Sequence, residues 1–159
     1  MIDLFWQELS FGLHDSKQLA RVMIRLVAAA LLGAIVGFQR ETSGKPAGVR
    51  THMLVSLGTA IFVLSCSATG MSFDGLTRVI QGIATGIGFI GAGSILKLSD
   101  EQDVKGLTTA AGIWITAAIG VTVGLGGLGI ALLSTILTLI ILALEHPLDR
   151  LAKRKRARK

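Results

Sequence analysis

The groups best suited to chemistry gather in GFQRETSGKPAGVRTH, residues 37–52, where Arg40, Glu41, Arg50, Thr51 and His52 stand close together in sequence. Forked donors from Arg40 and Arg50 could bind a phosphate or carboxylate, or clamp the connection onto Glu41. No nucleophile–base set accompanies them, so the expectation is a structural clamp and no enzyme. His52 reads as a satisfied interfacial residue rather than a ligand. Asp100, Glu101 and Asp103 form a second group, three carboxylates within four residues. A hard cation such as magnesium takes oxygen ligands of this kind, although solvated loop charges share the same pattern. Gly86, Gly88 and Gly91 spell GxGxxG, a dinucleotide fingerprint that requires a strand before it and an acid about 20 residues beyond. The preceding RVIQGIAT has no clear strand pattern and another apolar stretch follows, so no cofactor is expected.

The elements that must hold these groups are apolar and long. Stretches at about 21–38, 53–70, 76–97, 107–124 and 128–145 each approach the roughly 20 helical residues that cross a bilayer. Hydrophobic residues make up 51% of the 159 and charged residues only 16%, against about 25% charged in soluble domains. The expected fold is therefore all-α, a polytopic transmembrane bundle of five spans, with four as the alternative. Residues 1–19 form an N-terminal interfacial segment, 20–146 the transmembrane domain and 147–159 a basic tail. The N-terminus lacks the basic start of a secretory leader. Ile2, Phe5, Trp6, Leu9 and Leu13 instead fall at helical spacing, as in a helix lying in the interface or a frayed terminus. Cys66, the single cysteine, reads as a buried thiol.

Charge placement sets an expected orientation. With five spans, Arg40, Lys45, Arg50, Lys97, Lys105 and the seven basic residues of the tail share one side. Lys17, Arg21, Arg25 and Arg78 take the other. Positive charge favours the cytoplasm, which puts the C-terminus inside and the N-terminus outside. The tail LAKRKRARK lacks interleaved aromatics, so anionic headgroups, not nucleic acid, are its expected partner.

Within the spans, Arg25 has two readings. It snorkels to the outer headgroups, or it turns inward to backbone carbonyls or an acid. Gly33 and Gly37 form a GxxxG contact face. The run GIATGIGFIGAGSIL carries Gly82, Gly86, Gly88, Gly91 and Gly93. In water each glycine would weaken a helix by about 1 kcal/mol relative to alanine. In lipid the backbone bonds persist and helices can approach closely, so this run is expected at the tightly packed centre. Thr108 and Thr109 open the next span, and Trp114 is expected to pack against the glycines. No acid lies deep in any span, which argues against a cation-coupled transporter but leaves open a pore lined by backbone or hydroxyl groups.

Four stretches together carry a family likeness: RLVAAALLGAIVGFQRE, KPAGVRTHMLVSLG, GIGFIGAGSIL and VKGLTTAAGIWITAAIGVTVG. In that order and spacing the chain resembles the MgtC/SapB family of bacterial inner-membrane proteins over roughly residues 20–145. The resemblance maps the family's motifs onto Arg40 and Glu41, onto Gly48, Arg50, Thr51 and His52, onto Gly86, Gly88, Gly91 and Gly93, and onto Thr108, Thr109 and Trp114. Where the family often has Glu before the arginine, this chain has Gln39. The resemblance implies a short form without the soluble C-terminal domain of longer members. It also implies a multi-pass regulator linked to growth at low magnesium and, in some pathogens, to survival inside macrophages, with direct membrane contact to the ATP synthase as one mode of action. Two function classes follow: a non-enzymatic regulator docking a membrane partner or another copy of itself, and a small oligomeric channel or transporter for magnesium or another ion.

Overall fold

The computed structural model describes residues 1–2, 4–5, 15–97 and 104–144. From residue 15 onward the described residues form five helices: α1 (Ser16–Thr42), α2 (Val49–Ala68), α3 (Phe73–Gly93), α4 (Leu107–Gly124) and α5 (Leu128–Ala143). Between α3 and α4 a two-residue antiparallel ladder pairs β1 (Leu96–Lys97) with β2 (Val104–Lys105). The fold is the expected all-α bundle, and its helices coincide closely with the five apolar stretches. Helices α1, α2 and α4 are long and apolar enough to cross a membrane. Helix α5 is as apolar but has 16 residues in its described part, and α3 is diluted by Arg78, Gln81 and its glycines.

Helix α2 lies between α1 and α4, and the chain brings backbones together at both crossings. A Cβ at Gly33 would stand 2.5 Å from the His52 carbonyl oxygen, and one at Gly37 2.6 Å from Val49 Cα. The GxxxG pair of α1 is thus a true helix-contact face. On the other side of α2, a Cβ at Gly120 would collide with the Ser56 carbonyl and the Thr59 hydroxyl. One at Gly124 would lie 2.8 Å from Val63 Cβ. These glycines recur on α4 with Gly112 and Thr116 at intervals of four, a small-residue stripe along one helix face. Around the crossings, Ala29, Leu32 and Val36 of α1 pack with Ala60, Ile119, Val123, Ala131 and Leu142 as one core. Outward, Met23, Ile24, Val27, Leu31, Ile35 and Phe38 leave an exposed apolar face on α1, as lipid contact requires.

The glycine-rich run is not the packed centre. Helix α3 flanks the bundle, and only Ile87 and Gly91 on it are buried. Gly91 meets Ala110 of α4 at ordinary contact distance, whereas a Cβ at Gly82, Gly86, Gly88 or Gly93 would meet nothing within 4 Å. Trp114 is half exposed and falls on the face of α4 opposite the stripe, one turn beyond Ala110. At the N-terminus, Ile2 and Phe5 are exposed and helical, while Trp6, Leu9 and Leu13 lie outside the described residues.

Candidate functional site: a polar seam along α4

Seen from α4, the buried polar residues of α1, α2 and α4 form a single line. At its start Thr109 is buried and accepts a hydrogen bond from Arg40 Nη2 at 3.3 Å. Two turns on, Thr116 Oγ1 lies 2.8 Å from His52 Nδ1. One residue further, the Ala117 carbonyl lies 3.1 Å from the Thr59 hydroxyl. The Val55 and Ser56 carbonyls of α2 share that hydroxyl's proton at 3.0 and 3.1 Å. At the far end, Arg25 Nη1 donates to the Gly124 carbonyl at 2.9 Å. Arg40, His52, Ser56 and Thr116 are all 0% exposed. Arg25 and Arg40 are fifteen residues apart on α1, and so are Gly124 and Thr109 on α4. At 1.5 Å per residue both spans are about 22 Å, so antiparallel α1 and α4 are tied at two levels inside a bilayer about 30 Å thick.

Each tie has a local cause. Arg25 sits at the C-terminus of α4, where unpaired carbonyls and the helix dipole favour a cation. Gly126 makes this possible: its φ of +91° turns the chain in the left-handed region, and a Cβ there would lie 2.5 Å from Arg25 Nη2. Of the two readings for Arg25, the inward one to a backbone carbonyl describes its position. At the opposite end of α1, Glu41 caps α2. Its Oε2 accepts from the Val49 N–H at 2.9 Å. Gly48, the N-cap residue, has no side chain to serve this role and none to obstruct it, since a Cβ there would lie 2.5 Å from the same oxygen. A carboxylate in that position also meets the positive end of the helix dipole. Glu41→Ala is expected to destabilise the bundle by about 1 kcal/mol, read as a lowered thermal midpoint in detergent; an unchanged midpoint would show that the cap contributes nothing.

The 37–52 cluster is therefore divided by the fold. Arg40 and His52 enter the interior, Glu41 caps a helix, Arg50 is exposed and Thr51 half-buried. With Arg40 enclosed and Arg50 on the surface, the two arginines do not present a shared fork for an anion. His52 is not the interfacial surface residue expected, because its position on α2 faces the glycine stripe of α4. Gln39 is half-buried and donates from Nε2 to Ser43 Oγ at 3.2 Å. Thr108 is exposed, and Thr109 alone of the threonine pair joins the seam. Asp100, Glu101 and Asp103 lie outside the described residues. Among the described residues, no three His, Cys, Asp or Glu side chains come together to hold a metal ion.

The sequence reading missed Ser56, Thr59, Thr116, Gly120 and Gly124. For the last three the signal was present as small residues every four positions, at 112, 116, 120 and 124, masked by the denser glycines of residues 82–93.

Comparison with known proteins matches residues 26–151 to the model of the MgtC family. The chain is 45% identical to SrpB of Synechococcus elongatus over 139 residues, covering 80% of this chain and 76% of SrpB. It is 41% identical over 136 residues to YhiD of Escherichia coli K12, whose name proposes magnesium transport; the match covers 81% of this chain and 62% of YhiD. It is 44% identical to MgtC of Salmonella typhimurium over 117 residues, 74% of this chain and 49% of that protein. The chain thus spans only part of each relative, about half in the case of MgtC. No solved structure matches. With the family model covering most of the chain, these relatives at 41–45% identity and three helices apolar enough to cross a bilayer, the chain belongs to the MgtC family.

Proposed function

We propose that this protein is a non-enzymatic regulator of the bacterial inner membrane, acting through helix contacts with other membrane proteins under magnesium limitation or stress. The observation that carries this reading is the open glycine face of α3. Gly82, Gly86 and Gly93 share one side of this helix and leave room that no other described residue fills. At Gly33, Gly37, Gly120 and Gly124 the same residue type is matched by a close helix approach. A helix from a partner can approach an open face of this kind just as closely. The partner is a larger membrane protein, with the ATP synthase suggested by family resemblance, or a second copy of the chain. The distribution of basic residues supports an N-terminus outside and a C-terminus in the cytoplasm.

The rival reading, a small oligomeric channel or transporter for magnesium, draws on the name given to YhiD. The polar seam gives it little support. Arg40 and Arg25 put positive side chains at both ends of that seam, and buried arginines raise an electrostatic barrier to cations. Two measurements separate the readings. Liposomes containing the purified chain are expected to show no magnesium flux above that of empty vesicles. Gly86→Leu is expected to lose crosslinked partner or self-association in native membranes while the helix content stays unchanged, since a Cβ there meets open space. Sustained magnesium flux, or capture undiminished by Gly86→Leu, would reject the regulator.

A further inference from the structure

Helix α1 begins with its cations on one face. Lys17, Arg21 and Arg25 follow one another at intervals of four, so they stand one above the other along the helix. Lys17 and Arg21 are exposed, and neither side chain has a hydrogen bond or ion pair among the described residues. Arg25 is half-buried, with Nη1 on the Gly124 carbonyl. The nearest acid in sequence, Asp15, is turned to the helix start, where its Oδ1 accepts from the Lys17 N–H and the Ser16 hydroxyl, both at 3.3 Å. No other acid occurs on α1 before Glu41 at its far end. With 27 residues α1 is about 40 Å long, against a hydrocarbon core of about 30 Å. Its first turns therefore reach headgroup level, where the positive end of the helix dipole adds to the three cations.

Below the cations the same face turns apolar and grooved. Ile24 lies three residues beyond Arg21, Ala28 four beyond Ile24 and Leu31 three beyond Ala28, the spacing of a single helix seam. These residues, with Met23 and Val27, line a groove of about 410 Å³. Its floor is Ala28, which is small and packs against the core, while Ile24, Val27 and Leu31 stand half exposed around it. From Arg21 to Ala28 is about 10 Å along the axis, so the groove starts directly beneath the headgroups. A ligand for this arrangement carries an anion at the interface and a hydrocarbon chain running inward from it. An anionic phospholipid has both, in that order. A zwitterionic phospholipid brings a cation of its own to Lys17 and Arg21, and an apolar partner helix fills the groove but leaves the cations unanswered.

We propose that the N-terminal half of α1 is a binding site for an anionic phospholipid. Lys17 and Arg21 hold its phosphate, Arg25 adds positive potential, and one acyl chain lies along the groove from Ile24 to Leu31. The site stands independently of any partner at α3. It is tested on the full chain reconstituted in phosphatidylcholine vesicles that contain a trace of phosphatidylglycerol with a photoactivatable diazirine in its acyl chain. Phosphatidylcholine with the same labelled tail is the reference, and mapping the adducts by mass spectrometry separates this site from the basic tail at 147–159. Adducts on Met23–Leu31 are expected to favour phosphatidylglycerol, by about 5-fold for each of Lys17 and Arg21. Lys17→Gln combined with Arg21→Gln is expected to bring the two lipids level. Ala28→Phe, which fills the groove and keeps the cations, is expected to lower the preference as well. Equal labelling by the two lipids in the unaltered chain overturns the site, and so does a preference that survives the loss of Lys17 and Arg21. Absence of adducts from either lipid on Met23–Leu31, as when protein covers this face, overturns it equally.

Discussion

Gly120→Leu is expected to destabilise the folded bundle strongly. A Cβ at this position would collide with the Ser56 carbonyl and the Thr59 hydroxyl. The first belongs to a helix backbone and cannot rotate away, so α2 and α4 must separate. Overpacking of a filled interior costs about 1–3 kcal/mol and occasionally more; with backbone as the obstacle the upper end of that range is expected. Separation also breaks the contact of Thr59 with the Ala117 carbonyl and that of His52 with Thr116. The measurement is resistance to unfolding as SDS is titrated into detergent-solubilised protein, with Gly86→Leu as the comparison. Both substitutions put the same side chain on a helical glycine, but only Gly120 faces a neighbour. Equal stability of the two variants would mean that α2 and α4 do not cross where the geometry places them.

Arg40→Ala is the second substitution with a large expected effect. Arg40 heads the fully buried side chains by size, and truncating it removes both volume and the donor to Thr109. Large-to-small changes in a packed interior cost about 2–5 kcal/mol according to how well the site collapses. Val36 and Gly37 on the same turn region of α1 already pack closely, so little collapse is expected here. Arg40→Met separates volume from charge. It restores much of the volume, and Thr109, freed of its donor, can turn its hydroxyl to a carbonyl of its own helix, as other threonines of this chain do. Met is therefore expected to recover most of the stability lost with Ala, since apolar replacements of buried charges are often well tolerated. If Arg40→Ala unfolds at the same SDS concentration as the unaltered chain, the guanidinium is not enclosed in the bundle. If Met is as damaging as Ala, the charge itself holds the seam.

Gly86 and Gly120 also explain how far the sequence could be read. Five helices were legible because crossing lipid imposes a length and an apolar composition that single stretches declare on their own. Gly33 and Gly37 were legible as a contact face because two glycines one turn apart can serve little else in a span. The partner of a glycine face is a different matter. Gly82, Gly86 and Gly93 share their residue type with Gly120 and Gly124, yet the former look outward and the latter hold α2 against α4. Nothing local distinguishes them, because a missing side chain permits contact without specifying with what.

The polar residues divide along the same line. That Arg40, Glu41 and His52 mattered could be inferred from their cost at the edge of an apolar span. Their separate tasks could not. Glu41 is turned back to the Val49 N–H, Arg40 inward to Thr109 and His52 to Thr116. Each partner except Val49 lies more than sixty residues away in sequence. Sequence alone determined that this chain is a helical bundle built for lipid, since solvation by hydrocarbon acts on every residue of a span separately. The tertiary structure decided which glycines close, which arginines are enclosed and which face stays open, because those depend on the helix that stands opposite.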